Sequence, residues 1–371
     1  MSPFDRRLFS HFNWTLLFLA LLLTALGVLN LYSASSLRLE NGMSTVYFYK
    51  KQLFWGSAGL LGLVVCLGFD YRHLKSLVWP LFCLSIFLLI WILLFESARF
   101  GSKRWISLSF ISFQPTELAK LSVILLTAYF LAKMPGKLDL ASLGKLLGLV
   151  LLPCILIVLQ PDLGSSLNIL LIFFGMLLYK GLQKNVYFCL AAAVPVVTPL
   201  GWFFLKDYQK QRILSFLNPE TDPLGSGYNI LQSQIAIGSG QFWGKGFLEG
   251  TQSQLRFLPE KHTDFVLAVF GEEWGFVGCF FLLVLFCLFL LQVMQVIQTS
   301  KDSLGSFLCL GIFFYFYWQI LINLAMVLGL TPVVGIPLPF LSYGGSSTVL
   351  NFCLLGLVLN VSMRRFIFKQ Y

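Results

Sequence analysis

Charge is what this chain has least of. Only 11% of its 371 residues are Asp, Glu, Lys or Arg, against 57% hydrophobic, whereas a soluble globular domain is about a quarter charged. That scarcity excludes an ordinary soluble domain and leaves a polytopic membrane protein. Histidine is also scarce: His11, His73 and His262 stand far apart, which indicates no zinc site. The eight cysteines all lie inside hydrophobic runs, with no Cys-x-x-Cys spacing and no pairing context, and read as small apolar fillers. Low-complexity tracts and a clear internal repeat are missing, which counts against an inverted-repeat transporter. Arg6 and Arg7 precede an apolar stretch that is too long for a signal peptide and lacks a small-residue cleavage pattern, so it reads as a first spanning helix.

Apolar runs of about 20 residues mark spanning helices. They fall near 14–34, 53–69, 75–95, 115–133, 142–160, 164–180, 185–205, 265–296, 303–330 and 343–363. The expected fold is therefore an all-α polytopic membrane protein with about ten transmembrane helices and a long extracytoplasmic loop, 206–263, between helices seven and eight. Only Pro161-Asp162-Leu163-Gly164 separates the fifth run from the sixth, and a re-entrant pair is the alternative there. Ten spans put both termini on one side. Thirteen basic and four acidic residues fall on that side, an excess of nine, and the remaining charges nearly cancel. The positive-inside rule then places both termini in the cytoplasm. The net charge of +10 is mostly topology, not a nucleic-acid footprint.

Most of the remaining polarity is concentrated in 256–275, where the longest polar segment meets a hydrophobic helix. Pro259 suits the turn before a helix, and Thr263 or Asp264 can cap the helix that Phe265 begins. A carboxylate in such a place is fixed, and the helix N-terminus and the neighbours Arg256, Lys261 and His262 favour its anion. The bland alternative is a plain cap in a solvated charge cluster.

Three further constellations carry polar chemistry. Glu117 and Lys120 lie three residues apart within the fourth span, on one face, where they can pair in a bilayer that penalises either alone. They read either as a structural ion pair or as the wall of a substrate cavity. Gln160 to Ser166 breaks the helix at the external face, where Asp162 can line a cavity or simply close a turn. Thr331 to Ser347 is uncharged and rich in Pro and Gly, a backbone tolerated at membrane depth only where protein or a water-filled cavity surrounds it. In the long loop, Tyr208 to Arg212 is basic, and Gly227 to Gly240 reads as a short amphipathic helix ending in glycine. Residues 97–114 alternate as an interfacial segment. Cations beside a fixed carboxylate at a bilayer surface suit a lipid-linked diphosphate, with the carboxylate handling a proton.

These residues closely resemble the SEDS family of peptidoglycan glycosyltransferases, which comprises the rod-shape RodA branch and the division FtsW branch. The matches run in one order: Lys103-Arg104-Trp105 with Gln114 to Lys120, Gln160-Pro161-Asp162-Leu163-Gly164, Pro219 to Gly250, Leu258 to Phe265, and Pro339 to Ser347. The stretch Gly250 to Pro259 and the short N-terminus resemble the rod-shape branch more closely, while Trp274 stands where a smaller aliphatic residue or Phe is more usual. The resemblance implies a single SEDS-type transmembrane domain over 1–371, in the bacterial cytoplasmic (inner) membrane, that polymerises lipid II into glycan strands on the outer face. It places the catalytic base on Asp264 and offers Arg104, Arg212 and Lys261 as a diphosphate clamp. Glu117, Lys120, Asp162, His262, Ser342 and Tyr343 are the remaining candidates for substrate binding. A divalent cation, Mg or Mn, is a further expectation, with no organic cofactor. The expected partners are lipid II, the nascent glycan strand and a class B penicillin-binding protein of the elongation type. A lipid II flippase is the main alternative, and a non-catalytic scaffold for a transpeptidase the other. Apart from Glu117, Lys120, Glu272 and Glu273, the spans are uncharged inside, which favours surface chemistry over translocation.

Overall fold

The computed structural model describes residues 12–35, 48–95, 104–108, 111–218, 222, 225–254, 257–258 and 260–365. Arg256 and Pro259, singled out above, lie outside them, as do Arg6, Arg7, Lys103 and Pro219.

The long helices follow the apolar runs: α1 (Trp14–Ser35), α2 (Phe48–Gly68), α3 (Leu74–Phe95), α4 (Pro115–Lys133), α5 (Leu140–Leu159), α6 (Leu163–Lys180) and α7 (Lys184–Phe204). The loop after α7 holds α8 (Asp207–Leu217), α9 (Ser226–Ser239) and the short α10 (Thr251–Gln254). The chain then crosses again in α11 (Val266–Thr299), α12 (Ser303–Val327) and α13 (Gly345–Arg364). Nine of these helices, among the described residues, are long and apolar enough to cross a membrane. About ten spans are expected from the sequence; α7, 21 residues long with Pro195 and Pro199 inside it, stands where the seventh is expected but is not one of the nine.

Local chemistry sets several boundaries. Pro115 opens α4, where its missing N–H costs nothing and its φ is already helical. Asp139 caps α5 through the Ser142 amide at 3.3 Å, and Asp162 caps α6 through that of Ser165 at 3.2 Å. The turn between α5 and α6 thus joins two complete helices of 20 and 18 residues rather than a re-entrant pair. The expected interfacial segment is instead a small antiparallel hairpin, β1 (Ile106–Leu108) with β2 (Ile111–Phe113). α9 ends at Gly240, as its glycine signal predicts.

α11 departs from the single continuous helix its sequence suggests. At Gly275 the backbone takes φ 63° and ψ −161°, and the helix is interrupted. Residues of the long loop fill the gap: the Lys245 and Gly246 amides donate to the Glu272 and Glu273 carbonyls at 3.1 and 3.0 Å, and those of Phe276 and Val277 donate to the Gln241 and Phe242 carbonyls at 2.9 and 3.2 Å. A Cβ on Gly275 would collide with the Gly244 backbone, so positive φ and close approach both demand glycine there. Glu272, fully buried, accepts from the Lys245 ammonium at 2.7 Å and the Gln252 amide at 2.8 Å. The long loop is in this way stitched into the membrane domain.

α12 packs against α4, α6 and α11, and α13 lies along α2. Phe12, Asn13, Trp14, Thr299 and Arg365 line one cavity, so both ends of the described chain share one end of the bundle. That end is tied by Arg364 to Asp70 at 3.9 Å and by Tyr71 to Asp302. The candidate site lies at the other.

Candidate active site

Four segments meet around Asp264. The first is the turn 260–265 leading into α11. Its helix begins with Phe265 at the N-cap and no side-chain cap bond, so the expectation that Thr263 or Asp264 caps α11 does not hold. Thr263 instead donates to the Glu260 carboxylate at 3.1 Å. The Asp264 carboxylate, half-buried, makes no hydrogen bond or ion pair among the described residues. Burial and the Glu260 charge push its pKa up to about 6, while Arg212 and Arg104 pull the other way and Asp162 adds to the rise. The sequence suggests a stabilised anion; the structure has a carboxylate poised near neutrality, because lost hydration outweighs the cations.

The second segment is the strap 331–344 between α12 and α13. Val333, Ile336, Leu338, Phe340 and Leu341 are buried along it, which satisfies the expectation that such backbone is enclosed by protein. Gly335, at φ 71°, comes so close to Asp264 that a Cβ there would stand 3.4 Å from its Oδ2. Ser342 turns its hydroxyl inward to accept from the Leu338 amide at 2.8 Å, which fastens the strap on itself. Tyr343 follows, its amide donating to the His262 carbonyl at 2.9 Å.

The other two segments bring the guanidinium groups. Arg104, just before β1, donates to the Pro161 carbonyl and lies 3.9 Å from Asp162. That turn packs on the strap so tightly that a Cβ on Gly164 would strike the Val334 carbonyl. Arg212, on α8, donates to the Val333 carbonyl at 3.1 Å. Each arginine is therefore held on backbone, near enough to Asp264 to lower its pKa, with further donors in its fork.

The remaining candidates separate from this group. Lys261 acts on His262 and Glu273 rather than chiefly on Asp264. His262 stacks on Phe48, centroids 4.1 Å apart, and burial lowers its pKa. Glu117 and Lys120 pair at 2.8 Å, with the ammonium 5.8 Å from the centre of the Tyr315 ring. Both are buried, so the pair is part of the bundle interior and not the wall of an open site. No group of three or more His, Cys, Asp or Glu side chains that could hold a metal occurs among the described residues. These donors do not form a protein cage for the expected divalent cation.

Two contributors have weak signals in the sequence. Asn323 of α12 donates to the Asp264 carbonyl at 3.0 Å and to the Ile336 carbonyl at 2.8 Å; its only signal is an amide within an apolar span. Glu260 reads as one more surface charge until the turn folds it toward Asp264.

A model of the FtsW/RodA/SpoVE cell cycle proteins matches residues 13–366. The chain is 36% identical over 356 residues to the peptidoglycan glycosyltransferase MrdB of Escherichia coli (strain K12), covering 96% of this chain and 94% of that protein. It is 37% identical over 359 residues to a probable peptidoglycan glycosyltransferase FtsW of Geobacter sp. (strain M18), covering 95% and 97%. Among solved structures it is similar to a chain of a peptidoglycan synthase complex studied for its coordination of polymerization and crosslinking, with TM-score 0.81, 31% identity, and 96% and 98% covered. It is also similar to Thermus thermophilus rod shape determining protein RodA, with TM-score 0.70, 28% identity, and 96% and 98% covered. Motifs in order, helices in order and near full-length similarity agree: this chain belongs to the FtsW/RodA/SpoVE family of multi-pass membrane proteins.

Proposed function

We propose that the protein is a peptidoglycan glycosyltransferase that polymerises lipid II, with Asp264 as its general base. The observation that carries this reading is a half-buried carboxylate with no hydrogen bond or ion pair among the described residues, its pKa pushed up to about 6, under the influence of two arginines fixed on backbone. Transfer with a diphosphate leaving group needs one base, not the paired carboxylates of a glycosidase. The acceptor hydroxyl gives its proton to Asp264. As its oxygen bonds to the donor's anomeric carbon, the bond from that carbon to the lipid diphosphate breaks, and the departing oxyanion keeps the electron pair. Arg212 and Arg104 receive that charge, for which a planar fork of donors is suited. Each step is assigned to this chain's own side chains.

The positive-charge excess at the termini end supports an outer-face site, with both termini cytoplasmic. Identity to MrdB and to FtsW relatives is nearly equal, so the elongation role rests on the Gly250 to Pro259 stretch. A class B penicillin-binding protein as partner is supported by the similarity to a chain of a synthase complex.

The test is Asp264→Asn, which keeps size and removes the base. The variant is expected to fold and bind its partner, yet lose lipid II polymerisation, and Asp264→Glu to be severely impaired because proton abstraction needs contact of about 2.6–3.2 Å. Near-normal glycan synthesis by the Asn variant would return Asp264 to a structural role.

A further inference from the structure

We infer that Asn323 is a positioning residue for the reaction: its amide fixes the base and the strap facing the base as one unit. The inference rests on the reading of Asp264 as base. Asn323 is fully buried on α12, four and eight residues beyond Gln319 and Tyr315, on the same helical face. This polar ridge runs through the bundle interior: Tyr315 lies beside Lys120, and all three residues are wholly inaccessible. A carboxamide inside an apolar span is costly unless its bonds are made.

The two acceptors of those bonds belong to different parts of the chain. One is the carbonyl of Asp264 itself, at 3.0 Å; the other is that of Ile336, at 2.8 Å. Ile336 follows Gly335, the residue that approaches Asp264 Oδ2. One side chain therefore sets the distance between the base and the backbone wall of its pocket. An asparagine that served only to satisfy a helix end would bond within α12 or to one neighbouring segment. Asn323 joins two segments 59 and 13 residues away in sequence, which meet at the site.

Loss of the amide should leave the turn 260–265 held to the strap by the Tyr343 amide on the His262 carbonyl but loosen it at Asp264 and Ile336, let water reach the carboxylate, and misplace it by a fraction of an ångström, a displacement to which catalysis is steeply sensitive. The charged groups facing Asp264 are Glu260, Arg212, Arg104 and Asp162, and none of them bonds to Asn323 in the described structure.

The experiment compares wild type, Asn323→Leu and Asp264→Asn in the full chain with its partner, measuring lipid II polymerisation from pH 5 to 8. For Asn323→Leu the expected result is a kcat lower by about tenfold or more with KM for lipid II little changed. Its acid limb should move down by about half a pH unit or more, as the better-hydrated carboxyl returns toward its ordinary value. A merely structural role would scale the profile without moving the limb, and that result, or near-normal activity, overturns the inference. If the Leu variant does not fold, Asn323→Ser, which keeps one donor, is judged by the same criterion. Activity in Asp264→Asn would sink the base assignment instead, so the two failures are distinguishable.

Discussion

At the scale of single residues, environment and not identity sets the chemistry of Asp264. An aspartate before a helix ordinarily caps it and stays ionised. Here Phe265 occupies the cap position, and burial with the neighbouring Glu260 charge raises the carboxyl to about 6. A base must be deprotonated, so activity should rise with pH through that value and fall away below it. Glu260 is largely exposed and acts through its charge. Glu260→Gln removes a repulsion that favours the protonated acid, so it should shift the acid limb of the polymerisation profile to lower pH while retaining activity at pH 7.5. A limb unmoved or moved upward would show that Glu260 does not act on the base. The family resemblance grouped Asp264 with Arg104, Arg212 and Lys261. It could not show that Arg212 and Arg104 are cations pulling on the Asp264 carboxyl, or that Lys261 acts on His262 and Glu273, since adjacent residues in a turn point in different directions.

At the scale of elements, the helices are chosen by apolar run length and refined by a few polar contacts. Glu117 and Lys120 lie one turn apart on α4, which is buried on most sides. Their pairing at 2.8 Å lets that helix occupy the interior. Glu117→Gln strands a buried ammonium and should cost about 3–5 kcal/mol. The double change with Lys120→Met should cost less than that single one, because no unpaired charge remains. Thermal unfolding of the detergent-solubilised variants measures both, and simple additivity would remove the pair from the explanation. The break in α11 belongs to this scale too. Its glycine is visible in the sequence, but the strand of loop backbone that fills the gap comes from some 30 residues earlier.

For the whole molecule, the charge asymmetry and the shared end of the termini predict a definite orientation. In a background lacking the native cysteines, Leu217→Cys on α8 should react with an impermeant thiol reagent applied from outside, and Gln183→Cys between α6 and α7 should not. The reverse pattern would invert the protein and move the proposed site to the cytoplasm. The sequence by itself determined the class, the positions of the long apolar helices and the expected sidedness, because the bilayer imposes length and hydrophobicity on each span locally. It also carried the family motifs, and with them Asp264. Only the tertiary structure decided that the long loop is bonded into a helix gap, that Ser342 fastens the strap, and that Glu117 and Lys120 lie apart from the reacting group. It likewise decided that Arg104, Arg212 and Gly335 converge on the Asp264 carboxylate while Asn323 holds the Asp264 backbone carbonyl. These contacts join residues far apart in the chain, and the desolvation that tunes Asp264 depends on everything packed around it, which no local pattern records.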